Sequence, residues 1–204
     1  LQHSGIMDAT RLPKEGYYYL KSRWNREPLV HICGHWNWAD REPRVVTVVS
    51  NCDAVELFLD GNTLGVVSGE ECPAWEVPFA PGTLKAIGRR GKTTALHVLH
   101  TSGPAVALEL RASTEELHAD GSDMAELTVR VIDSDGTTVP DQPFTIGFDV
   151  DAPGSVHGLG GRPEVTTAMG FGRIIVRAGT TPGAIAVRAT SAGLRGATVV
   201  LRSV

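Results

Sequence analysis

Over residues 50–65 the chain reads SNCDAVELFLDGNTLG, with Val55, Leu57 and Leu59 alternating with Glu56, Phe58 and Asp60. A period of two is the signature of a strand with one buried face and one mostly wet face. Asp60-Gly61 then supplies two residues that take positive φ cheaply, as the centre of a tight hairpin demands, and residues 63–67 read as the returning strand. One hairpin is not stable alone in water, so the Val55/Leu57/Leu59 face requires a second sheet to cover it. The pattern therefore predicts a β-sandwich.

The same reading extends in both directions. Seven strands are expected at 29–34, 45–50, 54–59, 64–67, 74–79, 83–89 and 95–101, separated by Asp60-Gly61, Pro81-Gly82 and Arg90-Gly91-Lys92. That number of short strands at that spacing reads as an immunoglobulin-like sandwich. Ser102-Gly103-Pro104 is small and turn-forming, and marks a boundary. Beyond it the alternation restarts. Val106, Leu108 and Leu110 form one face, and Ala125, Leu127, Val129 and Val131 another, opposite Glu109/Arg111 and Glu126/Arg130. Further strands at 144–150, 172–178, 184–191 and 197–203 complete a second sandwich, with Asp133-Ser134-Asp135-Gly136 as a turn at one edge.

Residues 1–28 have a different texture. Pro13 stands near a helix start, where its missing N–H costs nothing, and Tyr17, Tyr18, Leu20 and Trp24 recur at spacings of three and four. One helix is expected over 14–23, weakened by about 1 kcal/mol at Gly16. Its apolar face needs a partner.

Composition narrows the function classes. With 204 residues and 42% apolar content the chain can build one or two cores. Gly and Pro total 35, which suits many short strands and turns without reaching low complexity. A formal charge of −4 without any Lys/Arg run argues against nucleic acid or an anionic membrane as partner. No apolar run approaches the ~20 residues of a membrane span. Cys33, Cys52 and Cys72 are odd in number and lack CxxC spacing, so they read as buried or free thiols with room for one pair. Leu1 is not preceded by a targeting pattern, and the chain reads as a piece of a longer one.

Three spaced motifs, VHICGHWNW over 30–38, VELFLDG over 55–61 and WEVPFAPGTLKAIG over 75–88, together resemble the region that follows the catalytic barrel in bacterial glycoside hydrolase family 2 β-galactosidases. The stretches DGSDMAELTVRVIDSDG, APGSVHGLGG and TTPGAIAVRATSAGL of the second half resemble the bacterial Ig-like domain of those enzymes, and also the Ig domains of adhesin stalks. GIMDATRLPKEGYYYLKS resembles the last loop and helix of the (β/α)8 barrel. The resemblance implies an all-β chain of two immunoglobulin-like sandwiches in tandem, at 29–102 and 103–204, preceded by one short barrel helix within 1–28. It implies a catalytic barrel in the same parent chain as partner, oligomer contacts as a further role, and a periplasmic or secreted parent, with a cytoplasmic one left open. No cofactor is implied.

Candidate chemistry is sparse. Glycoside hydrolysis needs two carboxyls about 5–9 Å apart, one held protonated. Glu70-Glu71 and Glu115-Glu116 are the acidic pairs, but both lie in polar connections and read as solvated charges. The resemblance puts both catalytic glutamates upstream of residue 1 and so implies an inactive fragment.

His35, Trp36, Asn37 and Trp38 are the best candidates for contact with a galactoside or another carbohydrate. Extended, they would place both indoles on one face and His35 and Asn37 on the other. Paired indoles more commonly fill a core or an interface, and with Tyr17, Tyr18, Leu20 and Trp24 they make the expected interdomain seam. The DSDG turn lacks the later ligands of a calcium loop and reads as turn chemistry. The glycine-rich loop at 157–161 lacks the context of a phosphate cradle. His31 and His35 would stand about 13 Å apart along a strand, too far to share a metal ion. A sugar-binding or adhesive Ig-like module without an enzymatic parent is the alternative reading.

Overall fold

Asp60 (φ 48°) and Gly61 (φ 81°) both occupy the left-handed region, and this type I′ geometry matches the twist of the flanking strands. It folds β3 (Ala54–Leu59) back onto β4 (Asn62–Ser68) in the computed structural model, which describes residues 5–8, 11–158 and 161–204. The returning strand is longer than its sequence suggested and carries a bulge. Leu57 faces Gly65 and Phe58 faces Thr63, so Leu64 is the extra residue, with Gly65 at φ 109° absorbing the kink.

The chain divides into two compact units, Leu1–Thr101 and Ser102–Val204. In the first, helix α1 (Glu15–Trp24) precedes seven strands, of which β3 and β4 are two. The others are β1 (Val30–Ile32), β2 (Pro43–Ser50), β5 (Ala74–Pro78), β6 (Thr83–Arg90) and β7 (Thr93–His100). They form two sheets, ordered β1-β2-β5 and β4-β3-β6-β7, with every pairing antiparallel. Val46, Val48 and Val77 from one sheet meet Val55, Leu57, Leu84 and Ala86 from the other. Each fully buried aliphatic side chain contributes about 1.5–3 kcal/mol, which is what holds such thin layers together. The helix lies one residue later than its spacing predicts.

The expected strand at 29–34 is only three residues long. Gly34 takes φ 79° and bends the backbone out of the sheet, so HWNW is not an extended strand.

The second unit contains β8 (Ala107–Ala112), β9 (Glu116–Leu117), β10 (Met124–Ile132), β11 (Thr145–Val150), β12 (Ser155–His157), β13 (Glu164–Thr166), β14 (Phe171–Arg177), β15 (Gly183–Thr190) and β16 (Ala197–Ser203). Its sheets run β12-β14-β10-β8 and β13-β11-β15-β16-β9. Leu127, Val129, Val131, Ile174 and Val176 pack against Ile146, Phe148, Ile185, Val187 and Leu201. On the outward side of β10, Arg130 pairs with Glu109 at 2.6 Å and Glu126 with Arg173 at 3.1 Å. Val106 precedes the strand and is exposed, so it does not share the face of Leu108. The strands β9, β12 and β13, two or three residues each, are too short to leave a periodic trace.

Candidate functional site

The densest set of titratable and aromatic groups in the first unit lies where α1 meets β1, with β7 on the far side of β1's His31. Glu15, Tyr18 and Ser22, spaced i, i+3 and i+7, fall on one side of the helix. The Glu15 carboxylate meets His31 Nε2 at 2.8 Å through Oε2 and accepts the Gly34 N–H at 2.9 Å through Oε1. Tyr18 lies flat on the His31 ring, with centroids 3.6 Å apart and planes 6° from parallel, and His97 stands 4.8 Å from the same imidazole. His97 Nδ1 accepts the Ile32 N–H at 3.0 Å, which fixes its proton on Nε2. Ser22 is buried and donates to the Tyr19 carbonyl at 2.6 Å.

Beyond the helix, the Asn51 amide donates to the carbonyls of Asn25 and Glu27 and accepts from Leu29 N. Arg23 pairs with Glu71 across a cleft of about 390 Å³.

Charge states follow from these contacts. Burial works against ionisation of Glu15, but the His31 hydrogen bond, the Gly34 N–H and the His31 charge together hold its carboxyl below the usual range. Burial first, and the neighbouring His31 second, lower His97 to about 4. Burial and then the Glu15 charge push the Cys33 thiol up to about 12, so it stays protonated. All three cysteines are free thiols.

The other side of α1 is apolar, half-buried at Tyr17 and Leu20 and open at Trp24. Tyr17, Leu20 and Trp24 recur at i, i+3 and i+7 roughly opposite Ser22, and Trp24 is 78% exposed. Of the seam candidates, Tyr18 therefore points the other way and packs within the first unit.

HWNW divides rather than presenting two faces. Trp36 is 2% exposed, donates Nε1–H to the Ala80 carbonyl at 2.9 Å and meets Phe79 edge-on at 5.2 Å, so it is a core residue and not part of a seam. Asn37, its neighbour, is also buried. Trp38 is 40% exposed, with His35 stacked at 4.4 Å and the Arg44 guanidinium 4.3 Å from its ring centre. His35 and Arg44 thus take up part of the indole surface on which a sugar could stack. Arg44 is held in turn by Asp40.

Elsewhere, turn chemistry accounts for DSDG. Asp133 Oδ1 accepts from Asp135 N and Thr137 N, and Oδ2 from Gly103 N. Among the described residues no group of three or more His, Cys, Asp or Glu is placed to hold a metal ion. Glu70, Glu71, Glu115 and Glu116 are all exposed, with Glu71 paired to Arg23 and Glu116 to Arg202. The glycine-rich loop falls partly on residues 159 and 160, outside the described residues. Sequence reasoning missed Glu15 and His97, which are 82 residues apart and carry no shared motif.

Residues 108–200 match the family described as Glycoside hydrolase family 2 C-terminal domain 5, and residues 42–95 one described as a domain of unknown function (DUF4982). The chain is 34% identical to a β-glucuronidase of Formosa agariphila over 98% of its own length and 22% of that protein's. It is 33% identical to the β-galactosidase BoGH2A of Bacteroides ovatus, over 94% of this chain and 24% of that one. It therefore spans under a quarter of the length of these curated relatives. A solved β-glucuronidase from glycoside hydrolase family 2 superposes on 98% of the chain, over 23% of its own length, with a TM-score of 0.88 and 31% identity. A β-glycosidase from Bacteroides vulgatus shares the fold, with a TM-score of 0.89 at 23% identity, over 97% of this chain and 28% of that one. Similarity along nearly the whole chain, together with the match of the second sandwich, shows that this protein belongs to glycoside hydrolase family 2, as part of its C-terminal region.

Proposed function

We propose that the chain is the non-catalytic accessory region of a β-galactosidase-like glycosidase, and that the outer stripe of α1 packs on the catalytic barrel of the parent. The observation that carries this reading is Trp24, an indole 78% exposed at the end of a helix whose opposite side is already packed. Tyr17 and Leu20 extend the same stripe, and an amphipathic face of this kind gains its stability from burial against a neighbour. The relatives' lengths supply such a neighbour, being about four times that of this chain. Exposed acidic pairs, with Glu71 and Glu116 bound to arginines, fit an accessory role, because a glycosidase acid must be kept protonated by its surroundings. The relatives include both β-galactosidases and β-glucuronidases, and the motif likeness of HWNW and VELFLDG favours the former.

The test is Trp24→Ser made twice. In the 204-residue chain it is expected to leave the melting temperature within about 2 °C, as a surface change should. In the full-length parent it should lower the barrel's melting temperature by about 4 °C or more, the effect of losing about 2 kcal/mol or more at an interface. Equal, small shifts in both would reject the docking. Hydrolysis of a chromogenic galactoside or glucuronide by the isolated chain would reject the accessory role.

A further inference from the structure

The cluster behind α1 has more titratable groups than a packing contact needs. His31 is held from three sides: Tyr18 covers one face at 3.6 Å, His97 stands at 4.8 Å, and Glu15 takes its Nε2 at 2.8 Å. The groups facing this pair of imidazoles are Glu15 and Tyr18 from α1, and Cys33, from the segment after β1, adjoins Glu15 in turn. Glu15 joins helix to sheet twice, through His31 and through the Gly34 N–H at 2.9 Å.

His97 can accept from Ile32 N only while Nδ1 is unprotonated. A proton there removes the acceptor, leaves the Ile32 N–H unpaired and sets a cation beside His31. A proton on Glu15 removes the anion that both of its partners address. Both groups adjoin His31, the residue on which α1 rests through Tyr18 and Glu15.

We propose that Tyr18, His31, His97 and Glu15 form an acid-sensitive latch, which holds α1 on the first sandwich near neutral pH and releases the helix on acidification. The latch consists of contacts within the first unit, and holds whether or not a barrel docks on the outer stripe. Its direction follows from the charges. His97 is lowered to about 4 in the closed state, against about 6.5 when free, so the released state binds the proton more tightly. The closed state is therefore fully favoured above about pH 6.5 and loses its advantage as pH falls from there toward 4. Glu15, whose carboxyl is held low, adds a loss in the same direction at the acid end.

Hydrogen-exchange protection factors, corrected for intrinsic rates, test this on the 204-residue chain. Amides of α1 are expected to lose about tenfold or more protection between pH 7 and pH 4.5, while those of β3 and β6 keep theirs. His97→Asn places an amide oxygen near the Nδ1 position without a titratable group, and should remove most of that pH dependence. Glu15→Gln should lower α1 protection already at pH 7. Three results would overturn the latch: loss of protection in α1 and the strands together, an unchanged pH dependence in His97→Asn, or a His97 ring that titrates near 6.5 by NMR in the unmodified chain. The NMR titration decides the matter even if a variant does not fold.

Discussion

Trp36→Ala is expected to destabilise the first unit by about 3–5 kcal/mol, the range for emptying a buried aromatic site. The indole is 2% exposed and packs edge-on against Phe79, and its Nε1–H satisfies the Ala80 carbonyl. Truncation thus leaves a cavity and an orphaned carbonyl together. For a unit of about a hundred residues, such a loss corresponds to a fall of more than 10 °C in melting temperature. All four tryptophans, at 24, 36, 38 and 75, lie in the first unit, so urea unfolding followed by tryptophan emission reads that unit alone. Trp24→Ala in the same assay should cost under 1 kcal/mol, because its ring is already in solvent. Equal costs for the two would mean that Trp36 is not a core residue.

Asp133→Ala should do comparable damage in the second unit, at about 3 kcal/mol. The carboxylate is 4% exposed and serves three main-chain donors, Gly103 N at 2.7 Å, Thr137 N at 2.8 Å and Asp135 N at 3.0 Å. Alanine leaves them with no partner that water easily replaces, and charge-assisted bonds of this kind are worth more than neutral ones. Asp133→Asn keeps one oxygen but turns an amide N–H₂ toward one of the donors, so about half the loss is expected. Burial opposes ionisation here, yet the N–H groups of Gly103, Thr137, Asp135 and Gly136 hold the carboxyl below its usual range. The stabilisation is present above the ordinary carboxylate range and is lost as pH falls through the folded value. Far-UV circular dichroism during urea unfolding measures both variants, with tryptophan emission marking the first unit's share of the change. A calcium-dependent transition in the unsubstituted chain would instead point to a cation on this turn.

How far the sequence could be read follows from where its information is local. Val55 and Leu57, and then Leu127, Val129 and Val131, announce their sheets because burial on one face imposes a period of two on neighbouring residues. The Asp60-Gly61 turn is equally local. The HWNW stretch misleads because Gly34, one residue ahead of it, breaks the strand that the alternation extrapolates. From there Trp36 and Trp38 part company, one to the core and one to the surface. The Glu15, His31 and His97 cluster was beyond reach for a different reason. Its members come from a helix, a three-residue strand and a seventh strand, and only the tertiary fold brings them to within hydrogen-bonding and stacking distance. The outer stripe of α1 was legible as apolar spacing, but its division from the inward Tyr18 needed the helix to be seated on its sheet.

The hairpin tip has one more tie. Asp60 Oδ1 accepts the Thr83 N–H at 2.7 Å, and a β-carbon at Gly82, which sits at φ 156°, would run into the same carboxylate. The corner that opens β6 is therefore moulded around the tip of the β3–β4 turn. LDG and PGTLK, twenty residues apart and separate to the eye, behave as a single interlocked joint. Anyone remodelling this scaffold must redesign both halves at once.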